Sequence, residues 1–272
     1  MTIHLNKRRN KMYGYQRRWL RRLMVIVMTV VAVLVFVKRD VILDHLFNQF
    51  SQSTAAPKIP QKEDPQKKLA AQDFTNQQAM VVNDNQPNFT ASDLKTTAEP
   101  WQKLSHRDWL GRPKQANALL NQKQMPTLKR KKLTVKTPGY HVYRLKQNGQ
   151  ETYLYNRSHL IGYQLTGLNN DARNLVTGTR AMNAIHEEDN QASMETYENQ
   201  IAAYLRQSSN HYVRYQVTPL YRNVERVPRG IELAGQSIGD DVIKFHVYIF
   251  NSQPGWQINY YTGTALQQSE EK

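Results

Sequence analysis

Three residue types with complementary chemistry fall in one stretch, residues 155–183, which reads YNRSHLIGYQLTGLNNDARNLVTGTRAMN. Arg157 and His159 stand two positions apart at the end of a β-like run, and Asn174 and Asn183 follow, nine positions from each other. Histidine has the side chain whose unperturbed pKa lies nearest neutrality, so His159 is the readiest general base at ordinary pH. The neutral amide oxygen of Asn is a hard ligand, suited to a cation such as Mg²⁺ that keeps most of its waters. The planar cationic fork of Arg fits phosphate oxygens. A base, a hard-metal ligand and a phosphate clamp are together the parts of metal-assisted phosphodiester hydrolysis. The same types also serve plain structural ends: a lone His between strand and turn, or an Asn on the wet side of a helix, needs no reaction to explain it.

The stretch resembles the DNA/RNA non-specific endonucleases of the ββα-metal (His-Me finger) class, and most closely the membrane-anchored DNA-entry nucleases of Gram-positive bacteria. Their signature is Asp-Arg-Gly-His followed by a helix bearing a metal-binding Asn. Here it stands as Asn156, Arg157, Ser158, His159, joined to the continuations HLIGYQLTG and NLVTGTRAMN, and the resemblance runs from about residue 101 to about residue 264. It implies an α+β fold: a central antiparallel sheet with a ββα-metal finger. It further implies that His159 accepts a proton from the attacking water, that Asn183 binds one Mg²⁺ (Mn²⁺ able to substitute), and that Arg157 stabilises charge in the transition state. Asn174 would position the His or a water, and Glu198 would hold a metal-bound water, with Glu195 one turn earlier as its rival. The implied partner is DNA, with RNA as a further substrate, cut without strong sequence preference because nothing in the chain resembles a base-reading module. A membrane-tethered nucleic-acid receptor that lacks catalysis is the alternative reading.

These residues need elements to hold them. Strand-like runs at 140–145 and 151–156, separated by a Gln-Asn-Gly turn, lead straight into Arg157 and His159, and a strand end is a rigid mount for a base. Residues 168–173 read as loop. From Thr177 the pattern turns helical, with Thr177 or Thr179 as N-cap, and Arg180, Asn183 and Glu187 on one face. The cluster His186, Glu187, Glu188, Asp189 is tempting as a metal site, but consecutive helical residues point in different directions. A helix at 193–207 buries Tyr197, Ile201, Tyr204 and Leu205 and leaves Glu198 beside the polar stripe. Before the site, Ser92 or Asp93 caps a short helix, Trp101, Leu104, Trp109 and Leu110 anchor the core, and 116–122 reads as a second short helix. Lys129, Arg130, Lys131 and Lys132 form a basic run, either a solvated face or a phosphate-contacting loop or edge strand; with Arg180 they are the candidate nucleic-acid contacts. The last third is β, with runs at 212–221, 231–236, 242–250 and 257–261; in the third, apolar and polar residues alternate as in a sheet with one buried side. His211 and His246 have no partner at ligand spacing.

The 272 residues include no cysteine, which excludes disulfides, thiol catalysis and Cys-based zinc sites. The net charge of +15 is uneven: ten of the 37 Lys and Arg lie between Lys7 and Arg39. From Thr90 onward 23 Lys and Arg face 16 Asp and Glu, a surplus of seven that suits a polyanionic partner. Residues 23–37 carry no charge and follow Arg17, Arg18, Arg21 and Arg22. That pattern predicts a single signal anchor over 23–39, a basic cytoplasmic segment at 1–22, and everything after it outside the cell membrane. Residues 40–90, rich in Gln, Lys, Pro and Asn, read as a flexible linker, and 91–272 as the endonuclease domain.

Overall fold

A computed structural model of the chain describes residues 64–95, 99–147, 149–184 and 192–268, together with residues 24, 27 and 28, which are helical. The predicted membrane anchor falls, apart from those three positions, outside the described residues, as does the cluster His186–Asp189. No helix among the described residues is long and apolar enough to cross a membrane.

Residues 63–272 form one compact unit around a six-stranded antiparallel sheet. Its strands are β1 (Ala79–Val81), β2 (Trp101–Leu104), β3 (Ala116–Asn121), β8 (Tyr212–Leu220), β9 (Gly230–Ser237) and β10 (Lys244–Phe250), in the order β1-β10-β9-β8-β3-β2. Separate hairpins are made by β4 (Arg144–Gln147) with β5 (Gln150–Tyr153), by β6 (Tyr155–His159) with β7 (Leu175–Thr179), and by β11 (Trp256–Ile258) with β12 (Ala265–Gln267). The helices are α1 (Pro65–Ala70), α2 (Tyr163–Thr166), α3 (Arg180–Asn183) and α4 (Met194–Gln207).

The main core lies between one face of the sheet and α4 with the β6–β7 unit. Ile243, Phe245, Val247 and Ile249 meet Ile201, Leu205, Met182 and Leu160 there. Alternation in β10 puts the other residues on the opposite face, and that face is buried too, contrary to the expectation of one wet side. Tyr248 and Phe250 pack with Leu69, Ala70 and Leu220 in a second cluster, flanked by Phe74, Met80 and Val82. His246 lies in the same layer, bonded to Glu232 at 2.8 Å, a structural pairing. His211 stacks on the Tyr204 ring and bonds its carbonyl.

This second layer corrects the predicted linker. β1 pairs with β10 from Ala79↔Ile249 to Val81↔Val247, and the Gln78 amide donates to the Phe250 carbonyl, so the folded unit takes in much of 64–90. Its polar composition hides two short elements, α1 and β1, which supply Leu69, Ala70 and Met80 to the second cluster. Three other expectations fail before the site. Residues 116–121 are the strand β3, inserted between β2 and β8, because tertiary pairing overrides the helical leaning of an Ala-Asn-Leu run. Residues 91–94 are turn rather than helix, closed by Thr90 N–H and Oγ1 donating to the Asp93 carboxylate. Trp109 is 83 % exposed and anchors nothing.

Candidate active site

The β6–β7 hairpin sets Tyr155 opposite Thr179 and His159 opposite Leu175, and α3 follows β7 at once and packs on both strands. The strand–strand–helix unit is therefore present, with a different boundary from the one expected: 175–179 is strand, and the helix is the single turn Arg180–Asn183. Val176, Thr177 and Thr179 favour the pleated conformation. Of the two candidate caps, Thr179 serves, its Oγ1 accepting from Met182 N at 3.2 Å. Ala184 is extended and ends the helix, and Glu187, expected on the Arg180–Asn183 face, lies outside the described residues.

Asn251, just past β10, is a positioning residue the sequence did not reveal. Its Oδ1 accepts from Thr179 N at 2.7 Å and its Nδ2 donates to the carbonyls of Thr177 and Pro228, while Gln253 Oε1 accepts from Ala181 N at 3.0 Å. The junction of β7 and α3 is thus tied to the main sheet. No motif signals this, since the signal is only an Asn at the end of a strand.

His159 ends β6 and is 7 % exposed. Its Nε2 lies 2.7 Å from the Asn169 carbonyl. A carbonyl only accepts, so Nε2 carries the hydrogen and the lone pair of the neutral ring sits on Nδ1. Burial pushes the pKa down from 6.5 to about 4, the charge of Arg130 pushes the same way, and the bond to Asn169 opposes them only in part. At neutral pH the imidazole is an unprotonated base in a fixed tautomer.

Asn174, fully buried, bonds backbone and not the His159 ring. Its Oδ1 accepts from Ile161 N at 3.0 Å and its Nδ2 donates to Ile161 O at 2.9 Å. It fixes the turn that leaves His159, while the ring itself is held by Asn169. Arg157, half-buried, donates from Nε to Val135 O at 2.7 Å and lies 4.3 Å over the Tyr140 ring. Two positions apart on a strand, Arg157 and His159 share a face. Ser158, on the other face, packs its buried hydroxyl by Gly178 and Met182 with no hydrogen-bond partner.

Glu198 does not lie on a solvated stripe: α4 turns it inward, where it is 7 % exposed. Its Oε1 accepts from Gly162 N at 2.8 Å, which brings α4 against the loop after His159. Burial raises its pKa to about 8, with Glu195 adding repulsion. A Cβ on Gly162 would collide with this carboxylate. Gly162→Ala is therefore expected to push Glu198 aside, lowering stability by about 1–3 kcal/mol, the usual range for overpacking, and turnover with it. Thermal melting and kcat measured side by side check this; an unshifted melting point would sink it.

The two buried groups give opposite pH slopes in metal-free protein. His159 binds a proton in the unfolded chain below 6.5 but in the folded one only near 4, so stability falls as pH drops through that window. Glu198 keeps its proton in the folded state up to about 8 but releases it near 4.5 when unfolded, so its contribution is complete below 4.5 and is lost as pH rises towards 8. The melting temperature in chelator should then decline from pH 6.5 to about 8, and less so in Glu198→Gln. Parallel curves for the two proteins would contradict the assignment.

The basic run Lys129, Arg130, Lys131, Lys132 is an exposed loop, of the two forms foreseen, and it is pinned beside the site. Tyr163 OH donates to Leu128 O at 2.9 Å, Asn169 Nδ2 to Lys131 O at 3.1 Å, and Thr134 N and Val135 N donate to Asn170 Oδ1. The residues that anchor it come from the segment that follows His159. Arg180 opens α3, its N–H donating to Leu154 O at 2.8 Å.

No three His, Cys, Asp or Glu converge among the described residues. The donors present, a half-exposed Asn183 amide and the Glu198 carboxylate on the helix packed against α3, suit one hard ion that keeps most of its own water.

Comparison with known proteins bears on this arrangement. The DNA/RNA non-specific endonuclease family matches residues 92–239. A deoxyribonuclease of Streptococcus dysgalactiae subsp. equisimilis is 29% identical over 125 residues, 46% of this chain and 37% of the relative, so the chain spans little more than a third of that protein's length. NucA from Streptococcus agalactiae with magnesium ion bound superposes with a TM-score of 0.60 at 28% identity, covering 68% of this chain and 85% of NucA. The same nuclease with no metal bound gives 0.63 at 25% identity, covering 78% and 100%. With the signature on β6, the Asn on a helix packed against the hairpin, and more than half of the chain matched, this chain belongs to the DNA/RNA non-specific endonuclease family.

Proposed function

We propose that the chain is a membrane-anchored extracellular endonuclease that hydrolyses phosphodiester bonds of DNA, and of RNA as well, with no strong sequence preference. The observation that carries this reading is the neutral His159 ring, its Nε2 hydrogen held by Asn169 O at 2.7 Å and its Nδ1 lone pair available, mounted on a hairpin–helix unit beside an exposed cationic loop. Nδ1 takes a proton from the water that attacks phosphorus. Arg157, locked by Val135 and Tyr140, meets the charge that builds on the phosphate oxygens. Lys129 to Lys132 and Arg180 hold the phosphate backbone without reading bases.

Asn183 would hold one Mg²⁺, or Mn²⁺ in its place, and Glu198 would accept a hydrogen bond from its hydration shell. That ion supplies charge neutralisation at the scissile phosphate and at the departing oxygen. The binding of magnesium by NucA supports this choice. The anchor reading rests on the uncharged run 23–37 behind four arginines.

Supercoiled plasmid incubated with the purified protein and Mg²⁺ tests the activity. Fragmentation that chelator abolishes is the expected result. Plasmid that is retarded on a gel but stays intact would favour the receptor without catalysis.

A further inference from the structure

Next to the His159 site lies a second concavity that shares a wall with it. A cleft of about 440 Å³ is lined by Arg107, Lys136, Gly139, Tyr140, His141 and Arg226, among others, and no carboxylate among the described residues lines it. Arg107, Lys136, His141 and Arg226 are all exposed. Among the described residues Arg107, Lys136 and Arg226 form no salt bridge. Asp171 feels the charge of Arg107 but is bonded to Arg173 at 2.6 Å. Cations gathered around one concavity repel each other unless an anion joins them.

The cleft is rigidly coupled to the reacting centre. Tyr140 lines it and carries the Arg157 guanidinium 4.3 Å over its ring. Lys136 follows Val135, whose carbonyl accepts from Arg157 Nε at 2.7 Å. The hydroxyl of Thr137 lies 2.7 Å from that of Thr177, which pairs with Arg157 across the hairpin. The wall at Gly139 is close-packed backbone: φ is 71° there and 81° at Gly263, a Cβ on Gly139 would strike Val227, and a Cβ on Gly263 would strike the Gly139 carbonyl.

We propose that this cleft seats phosphates of the nucleic-acid strand flanking the bond under attack, with Arg107, Lys136 and Arg226 supplying the charge. The assignment rests on the nuclease reading above and adds to it a second stretch of substrate contact. Contacts of this kind position the strand and carry no sequence information.

The test measures binding of a labelled DNA duplex by the full chain, in chelator to prevent cleavage, over a range of salt concentrations. One variant combines Arg107→Gln, Lys136→Gln and Arg226→Gln. A control of equal charge loss combines Lys67→Gln, Lys103→Gln and Lys123→Gln. Neutralising about three phosphate contacts should flatten the slope of log Kd against log salt by about 3 and weaken binding at low salt by roughly tenfold or more, with the control close to wild type. A cleft variant whose slope and Kd match those of the control overturns the proposal. Wild type that neither binds nor, with Mg²⁺, cleaves DNA overturns the nuclease reading and the cleft with it, whereas cleavage by wild type with an unaffected cleft variant removes the cleft alone.

Discussion

Replacing His159 by Ala lowers turnover on DNA by roughly 10²- to 10⁴-fold, the contribution one general base commonly makes, while the Kd for DNA in chelator stays near that of wild type. The direction follows from geometry. Nε2 is fixed on Asn169 O, so a single lone pair, on Nδ1, is available, while among the described residues His141, His211 and His246 bond Thr262, Tyr204 and Glu232. The ring makes its contacts within the protein, so the loss falls on kcat rather than KM. Because the base is neutral down to about pH 4, the acidic limb of kcat/KM in wild type lies well below the ordinary histidine value of 6.5. Thermal melting of the variant separates lost chemistry from lost folding. Wild-type kcat in a folded His159→Ala protein would falsify the assigned role.

Asn183→Ala should remove most activity at limiting Mg²⁺ and recover part of it when the metal is raised. Loss of even an outer-shell partner lowers metal affinity about 10- to 100-fold, and a direct ligand should matter at least as much. Asn183 closes α3 and is half-buried, so stability should change by about 0.5 kcal/mol or less. Metal titrations of the cleavage rate for both proteins check this. Identical titration curves would leave Asn183 without a part in metal binding.

The residues of the site were more legible than the elements that hold them. Arg157 and His159 could be placed at a strand end because a β-branched and aromatic run leads into them, and Ser193 and Thr179 mark helix starts by their side-chain chemistry. β7 was hidden because the apolar spacing in NLVTGTRAMN satisfies a helix as well as a strand, and only its pairing with β6 decides. Glu198 read as wet because charged residues usually are; what turns it inward is the approach of Gly162, a contact between segments far apart in sequence. Asn169 is invisible for a related reason, since it holds His159 through its backbone carbonyl, and any residue could supply that atom. α1 and β1 escaped because three to six residues carry too little pattern, although Tyr248 and Phe250 need their cover.

Everything in the proposed mechanism depends on His159 and Asn183 serving one phosphate, with Asn183 as the residue that would hold the cation. The most direct measurement is anomalous scattering from a crystal grown with Mn²⁺. A peak beside the Asn183 amide oxygen, close to the His159 ring, is the predicted result. A peak remote from Asn183, or a His159 ring turned away from it across the hairpin, would contradict the account.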